Sequence, residues 1–338
     1  MKTVTLNFND GVVHSFEVAE GTSILDAALE NELPVLYQCR SGSCSSCLAS
    51  LTDGASTVMA GSSSTLLPSD IEAGQRLLCV CQADTDCTFD LAYSSEVSAT
   101  PPQHFKAFID SVERIGSNVM KLTVELAEGD WVEFRPGQFM QIEVPGLGVV
   151  RSYSPSSTNA RLPKMEFLIR LLPEGAMSGY LENQAQIDDV LTMSGPYGAF
   201  FLREEYRRAP HIFVAGGTGL APIISMVDTL HKMSGRKPPM LLSFGCAVPE
   251  ALFALEDLAA RENWLPTLEV RVCVDRNATE GLYEGSPVSV LQQEDVVDPE
   301  TVAYLCGPQP MIDAATKRLI ELGVQPERIF AEQFVASN

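Results

Sequence analysis

Tyr37-Gln38-Cys39-Arg40-Ser41-Gly42-Ser43-Cys44-Ser45-Ser46-Cys47 is the stretch on which the reading of this chain turns. Its cysteines are spaced C-x4-C-x2-C, which is the spacing of a [2Fe–2S] cluster loop. Such a cluster needs four thiolates converging on two irons, and a short loop supplies three of them only if its backbone wraps closely. Gly42 and the small serines at 41, 43, 45 and 46 permit that wrap. A zinc site is the competing reading, but zinc favours C-x2-C pairs with a second pair downstream. The chemistry expected is therefore one-electron transfer, with Cys39, Cys44 and Cys47 as metal ligands.

A fourth ligand must come from further along. Arg76-Leu77-Leu78-Cys79-Val80-Cys81-Gln82-Ala83 reads as a strand leaving a turn at Gly74. Alternation along a strand places Cys79 and Cys81 on one face and leaves both open. Cys87 reads as a buried bystander thiol. The segments 3–8 and 12–18 flank Asn9-Asp10-Gly11 and predict an opening β-hairpin. Thr22 or Ser23 can cap a helix through 24–29, which Pro34 stops ahead of the cysteine loop. Residues 1–98 thus predict a small α+β, β-grasp-like domain.

At 338 residues the chain is too long for one core, and 45% hydrophobic content is ordinary for a globular protein. Nine cysteines is an odd number and four are claimed by the cluster, so no disulfide framework is expected. Thiolate ligands require a reducing compartment, which predicts the cytoplasm. Met1-Lys2 runs directly into the first strand, so no signal peptide is expected. The most apolar stretch, 211–227, is broken by three glycines, a threonine and a proline, and does not predict a membrane span. The net charge of −21 makes nucleic acid an improbable partner. Residues 1–98 hold 13 acidic and 3 basic residues, so the acidity concentrates on the cysteine-loop domain. That distribution serves solubility or steers the domain toward a basic redox partner.

Ala99-Thr100-Pro101-Pro102-Gln103 predicts a short stiff linker. Beyond it, alternating segments at 106–114, 119–126, 139–144, 149–153 and 165–171 predict an antiparallel barrel over 104–206. Within the barrel, Arg151-Ser152-Tyr153-Ser154 puts a guanidinium and a phenol ring on one face of a strand. The arginine can pair a pyrophosphate and the tyrosine can lie against a flat ring system. Ser154 can hydrogen-bond a ring nitrogen. Glu174-Gly175-Ala176-Met177-Ser178 is a small-residue turn opening a helix, whose free N–H groups favour phosphate oxygens.

In the last part, 207–338, the apolar run 211–215 leads into Gly216-Gly217-Thr218-Gly219-Leu220-Ala221-Pro222, followed by a helix pattern over 223–231. Strand, glycine turn and helix together make a pyrophosphate cradle. Strands at 240–244, 268–274 and 302–305 alternate with helices near 251–261 and 311–322, which predicts an α/β doubly wound parallel sheet. Cys306-Gly307-Pro308 ends one strand at the carboxyl edge, where ligands bind. Asp275 can accept hydrogen bonds from a ribose hydroxyl and would repel a 2′-phosphate, whereas Arg276 could pair with one. The balance predicts NADH.

These pieces, in this order, resemble the ferredoxin–NADP⁺ reductase superfamily with an N-terminal plant-type ferredoxin domain. The resemblance covers essentially the whole chain and is closest to the reductases serving benzoate-, toluate- and anthranilate-type dioxygenases. It implies FAD held by Arg151, Tyr153, Ser154, Ile169, Gly175, Met177, Ser178 and Phe334. It implies NADH held by Gly216, Gly217, Thr218, Gly219, Pro222, Asp275, Arg276, Cys306, Gly307 and Pro308, with Ser154, Cys306 and Phe334 around the reacting rings. It selects Cys81 as fourth ligand, because such domains end this strand with a Leu-x-Cys-Gln-like sequence. Relatives that use NADPH tend to carry serine where Asp275 stands. The activity implied is delivery of electrons from NADH through FAD and the cluster to a Rieske-type non-haem iron oxygenase. A reductase for a diiron hydroxylase shares the domain order, and a redox-sensing module without turnover is the reading from another class.

Overall fold

The computed structural model describes the chain apart from residues 38, 39, 41, 43–45, 63, 65, 67, 98–101, 297 and 335–338. It divides into two compact units, residues 1–102 with 197–199, and residues 103–196 with 200–338.

The first unit opens on the expected hairpin, β1 (Lys2–Phe8) against β2 (Val13–Val18). Ser23 caps α1 (Ile24–Glu30), its hydroxyl accepting the Asp26 N–H at 3.0 Å. The unit continues through β3 (Leu48–Asp53), β4 (Ser56–Val58), α2 (Pro68–Glu72), β5 (Gln75–Leu77), β6 (Cys81–Ala83) and β7 (Cys87–Leu91). Five strands form a mixed sheet in the order β2-β1-β7-β3-β5, with β7 parallel to β1. Ile24, Leu25, Ala27 and Ala28 of α1 are buried, as the apolar face of a core helix requires. The strand predicted across 76–83 is broken. β5 belongs to the main sheet, β6 pairs with β4 in a separate ribbon, and residues 78–80 form the turn between them. Of the expected linker, residues 99–101 lie outside the described residues and Gln103 already begins a strand.

The second unit begins with β8 (Gln103–Gly116), β9 (Val119–Leu126), β10 (Phe139–Val144), β11 (Val149–Tyr153) and β12 (Lys164–Arg170). α3 (Ala176–Asn183) and β13 (Val190–Tyr197) follow. The sheet order is β11-β10-β13-β8-β9-β12. It curls until its two edges meet at a Pro155–Phe167 bridge, where the Ser156 N–H donates to the Glu166 carbonyl at 2.8 Å. The enclosed core contains Ile109, Leu122, Val124, Ile142, Phe167 and Ile169.

The rest is a doubly wound sheet. Its elements are β14 (His211–Gly216), α4 (Leu220–Lys232), β15 (Met240–Cys246), α5 (Leu255–Trp264), β16 (Leu268–Val274), β17 (Tyr283–Glu284), β18 (Val302–Gly307), α6 (Gln309–Glu321) and β19 (Ile329–Gln333). The order is β17-β16-β15-β14-β18-β19, with every pair parallel. Both faces are buried, as an all-parallel sheet demands: Phe213, Phe244 and Tyr304 face one cluster, Ile212, Val214 and Leu305 the other. α5 starts at Leu255 rather than near 251, because a 3₁₀ turn at Pro249–Ala251 and a left-handed Ala254 precede it. After β14 the chain builds outward on one side and then on the other, so the crevice beyond β14 and β18 is the switch point where ligands bind. Among the described residues no helix is long and apolar enough to cross a membrane.

Candidate active site

The glycine turn and the Cys306 segment meet at that switch point. Gly217–Gly219 is a single 3₁₀ turn leading into α4. A side chain at Gly219 would put its Cβ 2.2 Å from the Cys306 carbonyl oxygen, so only glycine lets the turn lie against β18. At Gly216 a Cβ would meet Met311 Sδ at 2.8 Å and Pro308 Cδ at 2.9 Å. Gly217, at φ +54°, has open space where its side chain would be. Pro222 is buried in the first turn of α4, where its missing N–H leaves no helical bond unmade. Thr218 lies within the 3₁₀ turn.

β18 and β19 bring a second group to the same place. Cys306 is opposite Glu332, and Gly307 is opposite Gln333. Cys306 is fully buried, and burial drives its thiol well above the ordinary range, with Glu332 pushing in the same direction. Burial likewise pushes the Glu332 carboxyl up to about 8, and its Oε2 has no hydrogen-bond partner. The Phe334 N–H donates to the Gly307 carbonyl at 3.0 Å, and its ring packs half-buried on the core. Asp275 and Arg276 are exposed just past the end of β16, and the Asp275 N–H donates to the Cys246 carbonyl at 3.2 Å. Burial pushes the Cys246 thiol up to about 11, against the Gly217 N–H that draws it down.

On the barrel, Arg151 and Tyr153 lie on β11 opposite Ile142 and Met140. Burial pushes the Tyr153 phenol above its ordinary range and the Arg151 charge opposes this, so strand alternation does place the two together. Ser154 is buried, with no hydrogen-bond partner for its Oγ. Gly175 is the N-cap of α3, and the Ser178 Oγ accepts the Leu172 N–H at 2.8 Å. Ile169 and Met177 are buried in the barrel core. Buried polar atoms without partners are costly, and Ser154 Oγ and Glu332 Oε2 both lack one, a need that ring nitrogens or an amide would meet. The residues present therefore fit a flavin and a nicotinamide.

In the first unit Cys39 and Cys44 lie outside the described residues. Cys47 is buried just ahead of β3, and its carbonyl accepts the Leu78 N–H at 3.1 Å. Cys79 lies in the turn so attached and is 9% exposed. Cys81 is 1% exposed inside β6, opposite Val58. Burial raises its thiol, while Ser56 on the neighbouring strand draws it back down. On β7, burial pushes the Cys87 thiol up to about 11.

Known proteins align with this arrangement from end to end. The toluate 1,2-dioxygenase electron transfer component of Pseudomonas putida is 30% identical over 337 residues, covering 99% of this chain and 98% of that protein. This chain belongs to its family. Three domain families match in succession along the reductase: 2Fe-2S iron-sulfur cluster binding at residues 7–84, oxidoreductase FAD-binding at 106–202 and oxidoreductase NAD-binding at 213–317. Methane monooxygenase component C of Methylosinus trichosporium is 36% identical over 276 residues, 80% of each chain. The solved ferredoxin reductase in carbazole 1,9a-dioxygenase superposes with a TM-score of 0.66 at 26% identity, covering 98% of both chains. The reductase is a flavin-dependent oxidoreductase with domains for a [2Fe–2S] cluster, FAD and NAD.

Two of its site residues escaped the sequence reading. Glu332 shares a face of β19 with Phe330, so a strand reading of 329–333 would have marked it. Cys246 carries no local signal, since only the parallel pairing of β15 with β14 and β16 places it between Gly217 and Asp275.

Proposed function

We propose that this reductase draws electrons from NADH and delivers them to the oxygenase component of a Rieske-type, aromatic-ring-hydroxylating dioxygenase in the cytoplasm. The observation that carries the NADH half is the meeting of the glycine turn, Cys306, Glu332 and Phe334 at one switch point, and the oxygenase half is supported by the likeness to the toluate dioxygenase electron transfer component. FAD, when bound, accepts a hydride and releases electrons singly, and the cluster carries them one at a time.

The chain's own residues bind and orient. Arg151, Gly175 and Ser178 hold the flavin phosphates, Tyr153 packs on its ring, and the Ser154 hydroxyl meets it with the hydrogen bond that oxygen lacks in the protein. Ile169 and Met177 support that surface from the core. Gly216, Gly217, Thr218, Gly219 and Pro222 form the NADH pyrophosphate cradle, backed by Gly307 and Pro308. Asp275 takes the ribose hydroxyls and disfavours a 2′-phosphate, with Arg276 beside it. Cys306, Glu332 and Phe334 border the nicotinamide. Glu332 is neutral at neutral pH and so holds a proton it can donate in a hydrogen bond.

For the cluster, Cys39, Cys44 and Cys47 are joined by Cys79 in this proposal, in place of the Cys81 preferred from sequence. The shared face that made the two equivalent requires one continuous strand, and the break at 78–80 removes that premise. Cys79 lies in the turn tied to Cys47, while Cys81 lies in the β4–β6 ribbon, itself within reach of the Cys47 charge. The proposed domain limits are 1–98, 104–206 and 207–338.

The test is NADH-driven turnover of the intact protein with ferricyanide, with cytochrome c and with a purified dioxygenase component. Oxygenase turnover should fall as ionic strength rises, because the first domain is acidic, while ferricyanide turnover changes less. Absence of NADH-dependent reduction of any acceptor would leave only a binding or sensing role. The likeness to methane monooxygenase component C favours a second reading, service to a monooxygenase. Coupling to such a hydroxylase and not to a Rieske oxygenase would decide for it.

A further inference from the structure

One rung before Cys306 and Glu332, on the same face of β18 and β19, Tyr304 stands opposite Phe330. Their rings stack with centroids 5.4 Å apart and planes 25° from parallel. Residues two apart on a strand point the same way, so this aromatic rung is the floor under the Cys306–Glu332 pair. Arg203 grips it from the segment that follows the barrel. Its guanidinium carbon lies 4.8 Å from the Phe330 ring centroid and 4.0 Å from that of Phe201, a planar cation held between two rings. The Arg203 main-chain N–H donates to the Tyr304 hydroxyl at 2.9 Å. Arg203 is only 5% exposed, so the contact is made in a dry interior. One residue therefore holds both halves of the rung, and on each strand the next residue on the same face belongs to the site.

We propose that Arg203 is a positioning residue for hydride transfer: by clamping Tyr304 and Phe330 it sets the placement of Cys306 and Glu332. A greasy side chain of similar length would fill the volume but would not orient two ring faces. This inference rests on the reading that Cys306 and Glu332 border the nicotinamide, and the two can fail separately.

The experiment uses the full-length holoenzyme and rapid-mixing measurement of flavin reduction by NADH. Arg203→Leu should slow hydride transfer per bound FAD on the order of tenfold, short of the 10²-fold that a 1 Å misplacement can cost. KM for NADH should stay within about twofold, since the pyrophosphate cradle is untouched, and the kinetic isotope effect with 4-deuterated NADH should rise. Arg203→Lys keeps the charge but loses the planar sandwich and should be slowed as well. Tyr304→Phe, which removes only the hydroxyl, should show a smaller change of the same kind. Wild-type rates per bound FAD in the Arg203 variants, or losses that merely track lost FAD, would overturn the proposal. If Arg203→Leu fails to fold, Arg203→Lys and Tyr304→Phe decide by the same measure. Cys306→Ser serves as the control for the underlying reading: wild-type hydride transfer in that variant would sink the placement of the site itself, whatever Arg203 does.

Discussion

Replacing Glu332 with glutamine tests whether the carboxyl beside Cys306 is neutral because it is buried. The substitution keeps the shape and removes the ability to ionise. The folded protein holds the carboxyl up to about 8 against an ordinary value of 4.5, and burial alone is the cause. Between those two values the folded state keeps a proton that the unfolded chain releases. Stability then falls as pH rises, by about 1.4 kcal/mol per unit. Below pH 4.5 both states are protonated and the effect vanishes; above 8 both are ionised and the full penalty has been incurred. From pH 5.5 to 7.5 the wild type should thus lose about 2.5 kcal/mol relative to Glu332→Gln, on the one-unit scale of such shifts. Every other titrating group is common to the two proteins and cancels in the difference. Urea unfolding of the holo protein at both pH values, read from the emission of Trp131 and Trp264, measures it. A gap between wild type and variant that is the same at both pH values would mean that Glu332 ionises freely, and the burial argument would be refuted.

Cys79→Ser should bleach the visible charge-transfer bands while Cys81→Ser leaves them; the reverse outcome restores Cys81 as the ligand. Asp275→Ser should improve kcat/KM for NADPH roughly tenfold, since about 1 kcal/mol per unit charge is at stake at so exposed a position and Arg276 is already in place. Equal use of NADH and NADPH by the unmodified protein would contradict the role given to Asp275. Gly219→Ala forces a Cβ onto the Cys306 carbonyl and should weaken NADH binding at a cost of about 1–3 kcal/mol, with FAD content unchanged by absorbance.

What could be read from the sequence was whatever a contiguous run of residues encodes. The β1–β2 hairpin, the Ser23 cap, the glycine turn before α4 and the β11 strand that carries Arg151 and Tyr153 are each complete within seventeen residues or fewer. The misreadings share another cause. β13 is missing from the alternating segments read as the barrel, yet its pairing with β8 puts it in the interior of the barrel sheet. The run 76–83 alternates like one strand, yet tertiary pairing assigns its two ends to different sheets. Glu332 acquires its meaning from register: shift β19 by one residue against β18 and the carboxyl leaves the Cys306 face for the other side of the sheet. That register brings Tyr304 onto Phe330, and Arg203 braces the stack from a segment about a hundred residues away from β18. The placement proposed for Cys306 and Glu332 therefore draws on a contact that neither strand contains by itself. The Arg203 variants consequently probe how this sheet aligns its site as well as how fast the site works.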